Sequence, residues 1–286
     1  MGHNLLRSSR KYGIAAGIAI LGLIAGSAGF AADSDAGLRA FRQGDYNAAI
    51  RVWKADADKG DKNAQYNLGF LYMNGVGVDK NFDEAIRLFQ LAAGQGHPQA
   101  EYRLGEIREK GWGAAPNYGE ALRWYQMAAD AGDPVAAESL AQLYEEGYGQ
   151  EPDLKRAVQR YRQASEQGLA EAQYRLALMV EHGQGTARDE AEAVKWFTAS
   201  AEQGNAQAQE RLGQMYVSGK GVPQDIKKGY LWLTLATKQN LRTAQKDRDQ
   251  VLKDKKLTFD EVSTLEATAV RWKPKIAAAK NPAIIQ

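Results

Sequence analysis

Apolar positions recur along this chain with a fixed period of 36 residues. Leu68, Leu104, Leu140, Leu176 and Leu212 mark one phase, and Ala64, Ala100, Ala136, Ala172, Ala208 and Ala244 another. A period of this size indicates stacked supersecondary units, because a single unit cannot bury its own apolar face. Within residues 60–95, Ala64, Leu68, Leu71 and Tyr72 share one helical face and predict a helix A from Lys62 to Asn74. Ala85, Leu88, Phe89 and Ala92 likewise predict a helix B from Phe82 to Ala93.

Polar residues and glycines punctuate the pattern at fixed places. Asp45, Asn81, Asn117, Asp153, Asp189 and Asp225 precede each helix B, where their side chains can accept from the free N–H groups of the first turn. Glu84, Glu120 and Glu192 follow three residues on and predict capping boxes. Asp61, Asp133 and Asn205 are placed to cap helix A, and His97 stands at the same position. Gly60, Gly96, Gly132, Gly168 and Gly204 are placed to end helix B in a left-handed turn. The small series Gly69, Gly105, Ala141, Ala177 and Gly213 predicts close approach of the two helices.

The string Ala64, Leu68, Gly69, Tyr72, Gly75, Gly77, Glu84, Ala85, Phe89, Ala92, Ala93, Gly96 resembles the Sel1-like repeat, a relative of the tetratricopeptide repeat. The likeness runs from about Asp45 to Asn240, with local departures at Arg108, Val180, Gly229 and Asn240. It implies an all-α, right-handed α-solenoid of stacked helix-turn-helix units. It also implies a non-catalytic scaffold or adaptor for protein–protein interaction, in envelope assembly, in regulation of a membrane sensor or in host contact.

The ends differ from the middle, as the ends of a stack do. Residues 32–59 read as an N-terminal half repeat, with a short helix from Ala36 to Gln43 and a helix B around Ile50 and Trp53. Residues 60–240 hold about five repeats. Residues 241–286 read as a C-terminal helical cap, with a polar helix from Thr243 to Lys253 and a last helix, started by a Thr258/Glu261 capping box, running to about Trp272.

The N-terminus reads as an export signal. Arg7, Arg10 and Lys11 precede a 17-residue apolar run, Ile14 to Phe30, and Gly29-Phe30-Ala31 offers a cleavage site after Ala31. A periplasmic or secreted protein is expected, the alternative being an uncleaved signal that touches the membrane. Without residues 1–31 the formal charge falls from +2 to −1, which gives no electrostatic reason to expect nucleic acid. The absence of cysteine excludes disulfides and thiolate metal sites.

No constellation for catalysis stands out. Beyond the signal only His97 and His182 remain, in different units, and neither joins a nucleophile motif. The Gly-x-Gly pairs, such as Gly75/Gly77, follow a helix rather than a strand and lack a third glycine, so they read as turns and not as a nucleotide site. No cofactor and no metal is expected.

What remains is a surface. In tetratricopeptide-like stacks helix A lines the concave face, so helical spacing turns positions 63, 66, 67, 70, 73 and 74 of each unit toward the groove. The candidate partner-binding residues are Tyr66, Asn67, Phe70, Tyr102, Arg103, Tyr174, Arg175, Leu178 and Arg211. Tyrosine and arginine combine contact area with hydrogen bonding and dominate binding hot spots. This row predicts an extended partner segment with some negative charge. Two other readings stay open: the arginines form pairs on a solvated face, or Tyr66, Tyr102 and Tyr174 stack on sugar rings of cell-wall glycan or exopolysaccharide.

Overall fold

The computed structural model describes residues 31–254 and 256–275. The predicted export segment, Ala31 apart, and the last eleven residues lie outside them. Fourteen helices and no strand make up the described residues: α1 (Ala31–Arg42), α2 (Tyr46–Asp58), α3 (Lys62–Asn74), α4 (Phe82–Ala93), α5 (Pro98–Lys110), α6 (Tyr118–Asp130), α7 (Pro134–Glu146), α8 (Leu154–Glu166), α9 (Ala170–His182), α10 (Glu190–Glu202), α11 (Ala206–Ser218), α12 (Ile226–Lys238), α13 (Arg242–Lys253) and α14 (Phe259–Arg271). From α1 to α13 each helix packs on its neighbours in sequence, which makes an α-solenoid of helical hairpins.

The helix ends follow the polar code. Each of the six Asn/Asp residues before a helix B accepts a hydrogen bond from the backbone N–H three residues on, as in Asp45 with Ala48 at 2.9 Å and Asn81 with Glu84 at 3.0 Å. The capping boxes predicted at Glu84, Glu120 and Glu192 do not form. Glu84 pairs with Arg87 at 2.7 Å, Glu120 with Arg108 at 2.8 Å and Glu192 with Arg162 at 2.6 Å. A guanidinium within reach binds a carboxylate more strongly than a neutral N–H does. The box at Thr258/Glu261 does form: Glu261 takes Lys227 on one carboxylate oxygen at 2.8 Å and the Thr258 N–H on the other at 2.8 Å.

The Gly-x-Gly pairs are turns of a defined kind. The first glycine caps helix A in the left-handed region, with φ of +70° at Gly183. A Cβ on the second, Gly185, would stand 2.2 Å from the Leu154 carbonyl oxygen of the preceding unit. Only a residue without a side chain allows one unit's loop to seat on the first turn of the previous helix B. The helix approach predicted for the small series is also present. A Cβ at Gly105 would stand 2.6 Å from the Tyr125 ring, and Ala141 and Ala177 are fully buried.

At the N-terminal end α1 is a full 12-residue helix that starts at Ala31, not a short half-unit helix from Ala36. It packs on α2 and, through Leu38 and Phe41, joins the core around Trp53. At the C-terminal end α13 takes the helix A place against α12 and α11, whereas α14 lies on α12. The chain after α14 turns back: the Lys275 N–H donates to the Glu202 carbonyl at 2.7 Å, and Trp272 packs edge-on against Trp232.

Candidate functional site

Helices α5, α7, α9 and α11 together line a groove of about 630 Å³. Its walls are Tyr102, Glu138 and Tyr174 from the 66 series, Ser139 and Arg175 from the 67 series, Gln142 and Leu178 from the 70 series, and Val135, Glu171 and Gln207 from the 63 series. These positions lie three and four residues apart on a helix, so they share the face left free when Leu104, Leu140, Leu176 and Leu212 turn into the core. A second groove of about 570 Å³ lies toward the N-terminus and is more apolar. Phe41, Phe70, Met73 and Trp112 line it, with Arg103 and Glu106 at its polar side.

The nine candidate residues are therefore not equivalent. Tyr102, Tyr174, Arg175 and Leu178 line the central groove, and Phe70 and Arg103 the N-terminal one. Tyr66 and Asn67 are buried, at 8% and 2% exposure, and offer a partner almost no area. Tyr66 is covered by His97, at the helix A cap of the next unit, whose ring stacks on it with centroids 4.8 Å apart. The corresponding residues opposite Tyr102 and Tyr174 are Asp133 and Asn205, which are not aromatic, and both tyrosines stay partly open.

Arg211 is also otherwise engaged. Its guanidinium makes two hydrogen bonds to the fully buried Glu181 carboxylate of the preceding helix A, which also accepts from Lys220 Nζ at 3.0 Å. These bonds hold the Glu181 carboxyl below its usual range although burial pushes the other way. Arg211 is thus a strut between α9 and α11 rather than a free groove cation. Arg103 and Arg175 pair on their own helices, with Glu106 at 2.7 Å and Glu171 at 3.1 Å. Of the three, only the Arg175–Glu171 pair is the i,i+4 pair of the solvated-face reading, but all three arginines have a carboxylate, so the positive row read from the sequence is neutralised in the fold.

The central groove holds what that row left out. Glu138 shares the 66 series with the tyrosines, and the 63 series contributes Glu171 and Gln207. Variation at a groove-facing position of the repeat was the signal that could have selected them. Burial, with Glu171 alongside, pushes the Glu138 carboxyl up to about 7 against the pull of Arg175. Burial likewise pushes the Tyr102 and Tyr174 hydroxyls up, so both stay protonated hydrogen-bond donors.

Among the described residues no His, Asp and Glu cluster could hold a metal ion, and no helix is long and apolar enough to cross a membrane. His97 is a helix cap: its Nδ1 accepts from the Ala100 N–H at 3.3 Å, and burial, with Lys62 nearby, lowers its pKa to about 4.

Five consecutive Sel1 repeats match the chain, at residues 62–97, 98–133, 134–169, 170–205 and 206–241. A Sel1 repeat protein from Oxalobacter formigenes is 29% identical over 86% of this chain and 98% of its own, with a TM-score of 0.68. The protective antigen c5321 of uropathogenic Escherichia coli, described as having an SLR fold, is 26% identical with a TM-score of 0.54. This chain spans 85% of its own length and 61% of that antigen's in the match. A search of curated proteins returned no match. With five in-register repeats and the hairpin stack they build, the chain belongs to the Sel1 repeat family.

Proposed function

We propose that this protein is a non-catalytic scaffold of the bacterial periplasm or envelope that binds an extended segment of another protein in its concave groove. Sel1 repeat solenoids commonly mediate protein–protein interaction, and the family is generally a scaffold rather than a catalytic fold. The observation that carries the reading is the central groove. Four successive A helices leave it open, and it is lined by the positions where the repeats differ. Repeat proteins use such concave surfaces because each unit adds a few side chains to one continuous site. The location rests on the basic and apolar N-terminal segment.

A photo-crosslinking residue at Leu178, compared with one at Lys195 on α10, tests the reading in the native cell. A discrete protein adduct from position 178 that is absent from 195 is expected. Equal labelling from both, or glycan adducts alone, would overturn it. The glycan reading has lost one of its three platforms, since Tyr66 is covered by His97.

A further inference from the structure

The charge in the central groove is opposite to that of the arginine row. Arg175 is paired with Glu171, and Arg211 with Glu181. Glu138 and Glu210, which stand at the same repeat position one unit before and one unit after Tyr174, make no hydrogen bond or close ion pair with any described residue, and Arg175 and Arg211 act on them only through space. Both are only partly exposed. A carboxylate drawn out of water without a hydrogen-bonded cation is costly, and a cation brought beside it offsets that cost. The partly exposed Tyr174, which lines the groove between them in the repeat order, brings an aromatic ring of the kind that attracts cations. An anionic segment would instead meet Glu138 and Glu171, which line the groove, and Glu210, whose charge reaches Tyr174 from beside it, with both nearby arginines already engaged.

We infer that the central groove grips its partner segment through a lysine or arginine side chain laid along Tyr174 between Glu138 and Glu210. The inference rests on the groove-binding reading above and specifies the chemistry of the occupant. It reverses the charge expected from the sequence, because the arginines visible there are neutralised by carboxylates three to thirty residues away. Tyr102 and Leu178 supply the contact area that a bare acidic surface would lack.

Two capped pentapeptides, acetyl-(Lys)5-amide and acetyl-(Glu)5-amide, titrated into the isotope-labelled full chain at matched ionic strength, test the inference by NMR. Pentalysine is expected to shift the Ser139, Tyr174 and Leu178 signals, and pentaglutamate to leave them in place. Glu138→Gln combined with Glu210→Gln should weaken pentalysine binding about tenfold, while Glu151→Gln on the exposed loop should not. Groove shifts with pentaglutamate, pentalysine shifts confined to other surfaces, or a double variant that binds as well as the parent would each overturn the inference. Self-association that the double variant abolishes would give the groove to a second copy and overturn it as well. A Leu178 adduct to a partner segment without lysine or arginine would sink the charge assignment and leave the scaffold reading standing.

Discussion

Gln203 donates its side-chain amide to Gln173 Oε1 at 2.8 Å, and Gln173 in turn donates to the Ser165 carbonyl at 3.1 Å. The same relay joins Gln95 to Gln65 and Gln239 to Gln209 at 2.9 Å each. It ties the end of one helix B to the adjoining helix A and satisfies a carbonyl there. In the second unit the relay is broken. Glu101 takes the first glutamine's place, Ala131 takes the second's, and Glu101 Oε2 is buried without a partner. Glu101→Gln with Ala131→Gln should restore the relay toward the Ala93 carbonyl. The double variant should stabilise the chain at pH 7 by about 1–2 kcal/mol, read from urea midpoints. A midpoint at or below that of the parent would count against it.

Burial raises the Glu101 pKa, with Asp133 adding to the effect. A carboxyl raised in the fold binds protons that the unfolded chain has released. Its contribution therefore weakens as pH rises from the unfolded value of 4.5 toward the folded one. His97 works the other way. Its folded pKa of about 4 lies below the unfolded 6.5, so the neutral cap contributes fully above pH 6.5 and is lost as pH falls toward 4. His97→Asn keeps a capping side chain and removes the titration. Urea midpoints at pH 7 and 5 should differ less in the variant than in the parent; an unchanged difference would exclude His97 as the source.

The Glu181–Arg211 strut predicts a destabilisation unrelated to binding. Arg211→Met leaves the buried carboxylate with Lys220 alone and should cost about 3 kcal/mol. Adding Glu181→Gln should recover most of the loss, because no buried charge then remains. Non-recovery in chemical denaturation would show that Arg211 acts through packing instead.

Leu140 is fully buried in the core segment that spans α6 to α11. Leu140→Asp removes apolar burial and introduces an unpaired charge, a cost of about 4 kcal/mol or more. In a solenoid stability is a sum over neighbours, so the damage should stay local. Hydrogen exchange should show α7 and α8 losing protection while α12 and α13 keep theirs. Uniform loss along the chain would contradict this.

Glu138 makes pentalysine affinity depend on pH. Its carboxyl, raised to about 7, faces Glu171 and Arg175 from α9, with Tyr161 and Tyr102 also near. Raising the pH from 6 to 8 ionises it, so affinity should increase several-fold, read by the same titration. The same ionisation lowers fold stability as pH rises from 4.5 toward 7, because the unfolded chain gives up that proton earlier. A pH-independent affinity would remove Glu138 from the site.

Helix spans, turns and caps were legible in the sequence because each depends on neighbours within a few residues. Lys62–Asn74 and Phe82–Ala93 follow from helical spacing, an Asn/Asp cap before them, and a glycine after the first and close behind the second. Repetition strengthened the signal: Asn240, standing where earlier units have glycine, adopts the same left-handed backbone with φ of +65°. Which groove-facing side chains remain available was decided by the stack. Tyr66 is covered by a histidine 31 residues on, and Arg211 is drawn to a glutamate 30 residues back. Such distances are one repeat less a turn, so the pairs meet only once consecutive hairpins have docked. The sequence by itself determined the repeat, its hairpins and the face that lines the groove. Only the tertiary structure decided the charge of that face, because charge there depends on which carboxylates the packing leaves without a cation.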